Sequence, residues 1–251
     1  MDGDLFLGRA RELWVEAAGA AVEFPGPGEV DVVVSPGSRL CPSGWAGVVL
    51  LGGAGIATAP NAREAELLVG AVRKSASARG FVDVDRLPDA LPVVDVLGPA
   101  SLLYLDRAAF LSHDGAAVVE EVACDADEMA ALLDRVGAAD ADESGLADVT
   151  SPVFAVRAGA DVVAAAGYQV WPRSVAQHGV LVAPGNRGRG LARTVASAAV
   201  AHALGAGLLP QWRARPEPSK RVALALGFRD VGSQVSIRLG TGKPAPGARN
   251  R

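Results

Sequence analysis

Residues 180–192 read VLVAPGNRGRGLA: an apolar run, a turn with three glycines and the start of a long Ala-rich segment. The pattern predicts a strand at 179–183 and a helix at about 190–204. A tight strand-to-helix turn leaves the first helical N–H groups without partners and points the positive end of the helix dipole outward. Gly188 and Gly190 let the backbone come close to a bound anion. The stretch therefore predicts a site for a phosphate group.

The turn does not fit a nicotinamide dinucleotide site. Its third glycine position is Arg193, and the next strand ends in Gln211-Trp212-Arg213, where such a site needs an acidic residue. Two other glycine clusters fit phosphate binding less well. Gly53-Ala54-Gly55 is typical of a hairpin turn, and Gly240-Thr241-Gly242-Lys243 lacks the upstream glycine and the following helix of a P-loop.

Two motifs resemble those of a known enzyme family. Residues 187–192, RGRGLA, resemble the Arg/Gln-x-x-Gly-x-Gly/Ala pyrophosphate loop of the GCN5-related N-acetyltransferases (GNAT), which bind acetyl-coenzyme A (acetyl-CoA). Residues 219–228, SKRVALALGF, resemble the second signature of that family, a helix that starts at a serine and ends in Leu-Gly-Phe. The spacing between the motifs fits one helix and one strand. On these motifs, residues 116–240 are identified as a member of the family.

The resemblance and the element pattern together predict the fold class and the domains. We expect an α/β protein with a mixed sheet, in which residues 114–240 form the GNAT acyl-CoA-binding domain that the resemblance implies. Residues 1–113 are expected to form an additional N-terminal α/β region, and residues 241–251 a flexible basic tail. In an alternative interpretation the N-terminal region is a degenerate second copy of the same fold. The join at 107–118 is apolar, unlike a flexible linker, so we expect the two parts to depend on each other.

Hydrophobic periodicity and turn residues predict the remaining elements. In the N-terminal part these are a helix at 4–21, strands at 30–34, 48–51 and 56–59, a helix after the capping box of Asn61 and Glu64, and strands at 93–97 and 102–105. In the C-terminal part they are a strand at 116–122, a helix at 127–136, an acidic loop at 140–143, strands at 153–157, 162–171 and 208–213, a helix at 219–226 and a strand at 235–239.

The resemblance also implies how acetyl-CoA is held. The backbone N–H groups of Leu181 and Val182 correspond to those that bind the pantetheine arm and the thioester oxygen. Arg187, Gly188, Arg189, Gly190, Leu191 and Ala192 correspond to the residues that hold the pyrophosphate. The implied activity is N-acetyl transfer, in which a primary amine of a small molecule or peptide attacks the thioester directly in a ternary complex. The alternative is an acyl-CoA-binding or regulatory module that has lost turnover.

Two kinds of residue are candidates for the base that removes the proton of the amine. His178 lies on the strand before the pyrophosphate loop, and an imidazole pKa of about 6.5 suits proton transfer near neutrality. Its alternative is an exposed histidine without a role. Asp142 and Glu143 lie in the segment that usually floors the acceptor site, where they would attract an ammonium group, or where Glu143 would be the base instead.

The family often protonates the leaving thiolate with a tyrosine near the start of the second-signature helix, and this chain has none there. Ser219 is the nearest hydroxyl and is therefore the candidate acid. Pro216 stands where many members carry asparagine. Trp171 and Trp212 lie at strand ends around the expected cleft, so they are candidates for lining the acceptor pocket, with core packing as the alternative.

Composition excludes several classes of protein. Half of the 251 residues are hydrophobic, 21% are charged and the net charge is −4, which excludes a disordered chain and gives no general attraction for nucleic acid or anionic membranes. No apolar run is long enough for a membrane span and the start at Met1–Asp4 is acidic, so we expect a cytoplasmic protein. Cys41 and Cys124 lack metal-ligand spacing, so no metal site is expected. We expect a monomer or a homodimer.

Overall fold

A computed structural model describes residues 3–75 and 82–240. The tail predicted at 241–251 lies outside these residues. The helices are α1 (Gly3–Ala18), α2 (Ala62–Ser75), α3 (Asp127–Val136), α4 (Ala138–Ser144), α5 (Leu191–Gly205) and α6 (Glu217–Ala225). The strands are β1 (Val30–Val34), β2 (Ala46–Leu51), β3 (Ala54–Ala59), β4 (Val93–Tyr104), β5 (Glu120–Val122), β6 (Val153–Ala158), β7 (Asp161–Trp171), β8 (Val175–Val182), β9 (Leu209–Ala214) and β10 (Arg229–Leu239).

The chain divides into two compact units that do not follow the order of the sequence. One lies within Met1–Leu102 and Val231–Arg251, and the other is Leu103–Asp230. In each unit, parallel and antiparallel strand pairs occur in the same sheet and helices pack on it, so the predicted α/β class with a mixed sheet is confirmed.

The first unit contains a strand from each end of the described chain. β3 lies between β1, to which it is parallel, and β2, to which it is antiparallel. β10 pairs antiparallel with β2, from Gly232 opposite Leu51 to Ile237 opposite Ala46. A C-terminal strand is therefore part of the N-terminal unit.

Local signals predicted several elements of the first unit correctly. β1 has the predicted bounds, and Gly52 and Gly53, both at positive φ, form the turn of the predicted hairpin. The Glu64 amide donates to Asn61 Oδ1 at 3.0 Å, and Asn61 Nδ2 donates to Glu64 Oε1 at 3.1 Å, so these side chains cap α2. The two strands predicted at 93–97 and 102–105 are one strand, β4, because Gly98 and Pro99 are accommodated within it.

The second unit carries the motifs that the sequence singled out. Its sheet has the order β9-β8-β7-β6-β5, with β8 and β9 parallel and the other neighbours antiparallel. Helix α5 packs on one face, where Ala203 contacts Tyr168 of β7 and Ala176 of β8. Helix α4 ends against the other face, because a Cβ on Gly179 of β8 would lie 2.8 Å from the Ser144 carbonyl oxygen. Side chains of β8 thus alternate between these two surroundings.

Two predicted elements of this unit differ from the structure. The strand predicted at 116–122 is only β5, because residues 116 and 117 form a bend and the pairing with β6 is limited to Glu120–Val122. The acidic loop predicted at 140–143 is helical, since the alanines of α4 favour a helix and glycines bound it at both ends.

Candidate functional site

The two parallel strands β8 and β9 separate before they end. They pair at Val175 with Leu209, Ala176 with Pro210 and Gln177 with Gln211, and within the described residues their pairing goes no further. β8 continues to Val182 and β9 to Ala214. We call the opening between residues 178–182 and 212–214 the fork. An opening between parallel strands exposes main-chain polar groups that a ligand can bind.

The register of β8 decides which of its amides face the fork. The Ala183 amide donates to the Val163 carbonyl of β7 at 2.8 Å, and Leu181 lies opposite Ala165 in the same register. Because N–H groups alternate along an antiparallel strand, the Leu181 N–H faces β7 and the N–H groups of Val180 and Val182 face the fork. The structure therefore favours the N–H groups of Val180 and Val182 as donors to a ligand in the fork, so Val180 replaces Leu181 of the prediction.

A glycine-rich loop connects the fork to the N-terminus of α5. Gly188 and Gly190 both have a φ of 77°, a left-handed conformation that glycine adopts without steric cost. The amides of Arg193 and Thr194 donate to the Gly190 carbonyl. Within the part of the chain that the structure describes, no acceptor contacts the amides of residues 188–192. These five amides, including those of Arg189, Leu191 and Ala192, lie at the positive end of a 15-residue helix, as a phosphate site requires.

The two arginines of the loop are not equivalent. Arg187 donates to Asp140 Oδ2 at 2.6 Å and, through Nε, to the Val182 carbonyl at 3.2 Å. Arg189 is exposed, and among the described residues it makes no ion pair. Arg187 therefore links the loop to α4 and β8, whereas Arg189 is the side chain that can turn toward an anion without losing a partner.

His178 is at the start of the fork, but on the face of the sheet that α5 covers. The ring is 3% exposed, lies 6.2 Å from the Trp212 ring at an interplanar angle of 20°, and also contacts Tyr168 and Phe228. Neither ring nitrogen has a hydrogen-bond partner among the described residues. Burial lowers the pKa of His178 to about 3. The imidazole is thus neutral near pH 7 and a poor proton acceptor, which argues against its predicted role as the base.

Ser219 receives a hydrogen bond that leaves its own proton available. Trp212 Nε1 donates to Ser219 Oγ at 2.9 Å from a ring that is 3% exposed. Because an indole N–H is only a donor, the serine hydroxyl keeps its proton for another acceptor. Trp212 lies in the core, so its position favours the packing alternative over the predicted lining of an acceptor pocket.

Glu143 lies on the opposite face of the sheet, near the fork. It is in the last turn of α4, directly before Ser144, whose carbonyl contacts Gly179 of β8. Its side chain is 28% exposed and forms an ion pair with Arg215. The neighbouring Asp142 is exposed. Of the two acidic candidates, Glu143 is the one in a partly enclosed position.

A chain of polar side chains on this face was not predicted from the sequence. Tyr104 Oη donates to Gln211 Oε1, and Gln211 Nε2 donates to Gln177 Oε1 at 2.8 Å, at the last pair of residues before the fork. Trp171 lies on the same face, where its Nε1 donates to Gln169 Oε1 at 2.7 Å. The sequence shows a glutamine at each of these two strand positions. It does not show the parallel register that places the two glutamines opposite each other.

Two further properties concern what the chain can bind. In residues 3–75 and 82–240 there is no group of three or more His, Cys, Asp or Glu side chains that could hold a metal ion. No helix in that same part of the chain has both the length and the apolar composition needed to span a membrane.

Comparison with known proteins gives a family match for a segment that lies mostly in the second unit. The GNAT acetyltransferase family model matches residues 153–234. A search of the curated proteins found no match.

Solved structures of several acetyltransferases are similar to parts of the chain. An acetyltransferase of the GNAT family from Colwellia psychrerythraea is 13% identical over 72% of this chain and 75% of that chain, with a TM-score of 0.47. A GCN5-related N-acetyltransferase from Kribbella flavida is 17% identical over 57% of this chain and 58% of that chain, with a TM-score of 0.44. The protein yncA from Salmonella typhimurium, solved with its cofactor acetyl-CoA, is 20% identical over 54% of this chain and all of that chain, with a TM-score of 0.38. The matched part is thus little more than half of the Kribbella protein.

Proposed function

Since residues 153–234 match the GNAT acetyltransferase family model, we propose that this protein transfers the acetyl group of acetyl-CoA to a primary amine. The observation that carries the proposal is the end of the β8–β9 pairing at Gln177 and Gln211, which opens a fork leading to five amides without acceptors at the start of α5. An extended arm fits the fork and a charged pyrophosphate fits the amides.

Each part of the site has a role in this proposal. The amides of residues 188–192 bind the pyrophosphate, with Arg189 as the adjacent cation and Arg187 holding the loop. The N–H groups of Val180 and Val182 bind the arm, and the innermost of them stabilises the negative charge that develops on the carbonyl oxygen. Acetyl-CoA supplies the activated acyl group.

The protein then has one proton to remove and one to supply. The amine nitrogen of the acceptor bonds to the acyl carbon, the carbon–sulfur bond breaks, and the thiolate leaves with the electron pair. Glu143 accepts the amine proton directly or through water, which its place beside the fork supports better than the buried His178. Ser219, held in place by Trp212, donates a hydrogen bond to the thiolate and passes a proton to it from water, so that the serine is a hydroxyl again at the end of the step.

A binding module without turnover is the second candidate, because the second-signature helix lacks the tyrosine. The Trp212–Ser219 hydrogen bond favours turnover, since a free hydroxyl proton is available on that helix. A panel of amine acceptors, with release of free thiol as the signal, distinguishes the two functions. Release that depends on the acceptor supports the transferase.

Calorimetry with acetyl-CoA tests the binding site. Gly190→Asp places a carboxylate at the helix N-terminus, and Gly207→Asp is its control, because Gly207 has a φ of 74° and, like Gly190, has no atom within 4 Å of an added Cβ. Losing about two charge-assisted hydrogen bonds of roughly 1.5–3 kcal/mol each predicts a loss of affinity of at least about 100-fold in the first variant only. Equal affinity in both folded variants would contradict the assignment.

A further inference from the structure

We infer that the acceptor amine is carried by an amino-carboxylate, a small molecule or peptide end whose carboxylate binds Arg213 beside the fork. The inference rests on the proposed function and names the substrate class of the same site. It depends on three features of Arg213: its place on β9, its cation–π contact with Trp171 and its lack of an ion-pair partner among the described residues.

Arg213 lies on the acceptor side of the sheet. Side chains alternate along a strand, so Arg213 shares a face with Gln211, whose side chain bonds to Gln177 on that face. Trp212, between them, points to the α5 side and stacks on His178. Arg213 is the second residue beyond the last β8–β9 pair, so it borders the opening itself.

The indole ring of Trp171 lies next to the guanidinium of Arg213. Its Cζ lies 5.8 Å from the centroid of the Trp171 ring. At this distance the cation and the face of the indole ring attract each other, and a planar guanidinium donates two parallel hydrogen bonds to the two oxygens of a carboxylate. The indole N–H of Trp171 donates to Gln169, and this hydrogen bond fixes the orientation of the ring.

Arg213 forms no ion pair with any of the described residues. Among the described residues no carboxylate lies within 4.0 Å of it, because the nearby Glu143 pairs with Arg215 instead. Arg213 keeps exposed surface that a ligand can reach. Its pKa is nevertheless lowered, first by the protein atoms around the guanidinium and second by the charge of Arg215, although the charge of Glu143 acts in the opposite direction. A bound anion would relieve this like-charge contact.

Spacing along the strand limits the size of the acceptor. Positions two residues apart on a strand are separated by about 6.6 Å. This is the distance along β9 from Gln211, where the fork opens, to Arg213. An amine and a carboxylate a few carbon atoms apart span a similar length. The carboxylate on Arg213 therefore leaves the amine at the fork, near the candidate base Glu143.

Matched acceptor pairs test the inference. We would measure free-thiol release with ω-amino acids, whose amine and carboxylate are a few carbon atoms apart, and with the same acids as carboxamides, using the full chain and acetyl-CoA. The carboxamide does not raise the pKa of the amine, so amine reactivity alone gives no preference for the carboxylate form. We expect kcat/KM to be at least about tenfold higher for the carboxylate form, because a charge-assisted bidentate pair is lost in the carboxamide.

Two variants test whether Arg213 causes the preference for the carboxylate form of the acceptor. Arg213→Gln should reduce the carboxylate-to-carboxamide ratio to about one and leave the affinity for acetyl-CoA unchanged. Arg238→Gln is the control, since Arg238 stacks on Trp45 at 5.6 Å in the other unit, and it should keep the ratio. Equal rates for both acceptor forms, or an undiminished ratio in Arg213→Gln, would overturn the inference. Thiol release with neither series, in a protein that binds acetyl-CoA, would also overturn it, whereas failure to bind acetyl-CoA would overturn the proposed function.

Discussion

Trp212 Nε1 donates a hydrogen bond of 2.9 Å to Ser219 Oγ, and thereby connects a buried aromatic cluster to the helix that carries the second motif. The Trp212 ring is held between His178, with which it stacks, and Phe228, which meets it edge-on. The packing around Trp212 therefore fixes the position of the Ser219 hydroxyl group. A donor held in one orientation need not reorganise when charge develops on a leaving group.

Ser219→Ala should lower kcat by about 100-fold, the lower end of the range for general acid–base catalysis, with acetyl-CoA affinity nearly unchanged. Trp212→Phe keeps an aromatic ring but removes the donor, so it should lower kcat by a smaller factor. Thiol-release kinetics measure both. An unchanged kcat in Ser219→Ala would show that water protonates the thiolate and that the hydroxyl is dispensable.

His178 should make stability depend on pH. Its pKa is about 3 in the folded chain against an ordinary value of 6.5, so between these values the unfolded chain binds a proton that the folded chain does not. The free energy of unfolding therefore falls as the pH falls through 6.5 and stops falling near pH 3. Between pH 6.5 and pH 5 the loss should be about 1.6 kcal/mol. Urea unfolding at both pH values measures the difference.

The variant His178→Leu should lose this pH dependence, because leucine fills a similar volume without a titrating group. His202→Gln is the control at an exposed histidine and should keep it. We also expect His178→Leu to retain the pH profile of kcat/KM. A fall of about 100-fold in rate, with loss of an inflection in that profile, would restore His178 as the base.

Glu143→Gln should lower kcat/KM by about 100-fold or more if this carboxylate removes the amine proton. Asp142→Asn changes the same charge one residue away, on an exposed side chain, and should have little effect. The comparison separates proton transfer from the general attraction of an acidic helix for cations. Similar losses in both variants would indicate attraction, and no loss in either would remove Glu143 from the mechanism.

Gly179→Ala should disturb the site through α4. An added Cβ would lie 2.8 Å from the Ser144 carbonyl oxygen and 3.0 Å from Gly145, and backbone atoms cannot rotate away as a side chain does. We expect a loss of about 1–3 kcal/mol in stability and a fall in kcat/KM as Glu143 is displaced. Gly185→Ala, where an added Cβ meets no atom within 4 Å, should change neither quantity. Unfolding and turnover of both variants are the measurements.

Elements specified by local signals could be predicted from the sequence. The bounds of α3 and β1 match the prediction, and α2 begins where Asn61 and Glu64 form their capping box. The amides at the N-terminus of α5 followed from the glycine-rich turn in the same way. These features depend on residues a few positions apart, for which periodicity and capping are sufficient.

Features that depend on distant parts of the chain could not be predicted. Strand alternation placed His178 on one face of β8, but only the packing of α5 shows that this face is the core. Trp171 and Arg213 come together through the order β9-β8-β7, which no local pattern specifies. The pairing of β10 with β2 likewise joins segments from opposite ends of the chain.

The last prediction is that residues 114–251 do not form a stable protein alone. Removing residues 1–113 takes β2 from β10 and leaves the ladder from Gly232 to Ile237 without its antiparallel partner. Val235 and Ile237, fully buried in the core of the first unit, would meet water. Each buried aliphatic side chain contributes about 1.5–3 kcal/mol, so their exposure should cause aggregation.

The same cut also damages the second unit, because Leu103 and Leu105 belong to its core. Size-exclusion chromatography and acetyl-CoA calorimetry on the fragment 114–251, with the full chain as the control, test the prediction. We expect an aggregated fragment without measurable affinity. A monodisperse fragment with full affinity would show that the C-terminal part folds and binds independently. The predicted boundary at 113/114 would then hold, although the compact units divide after Leu102 and Asp230.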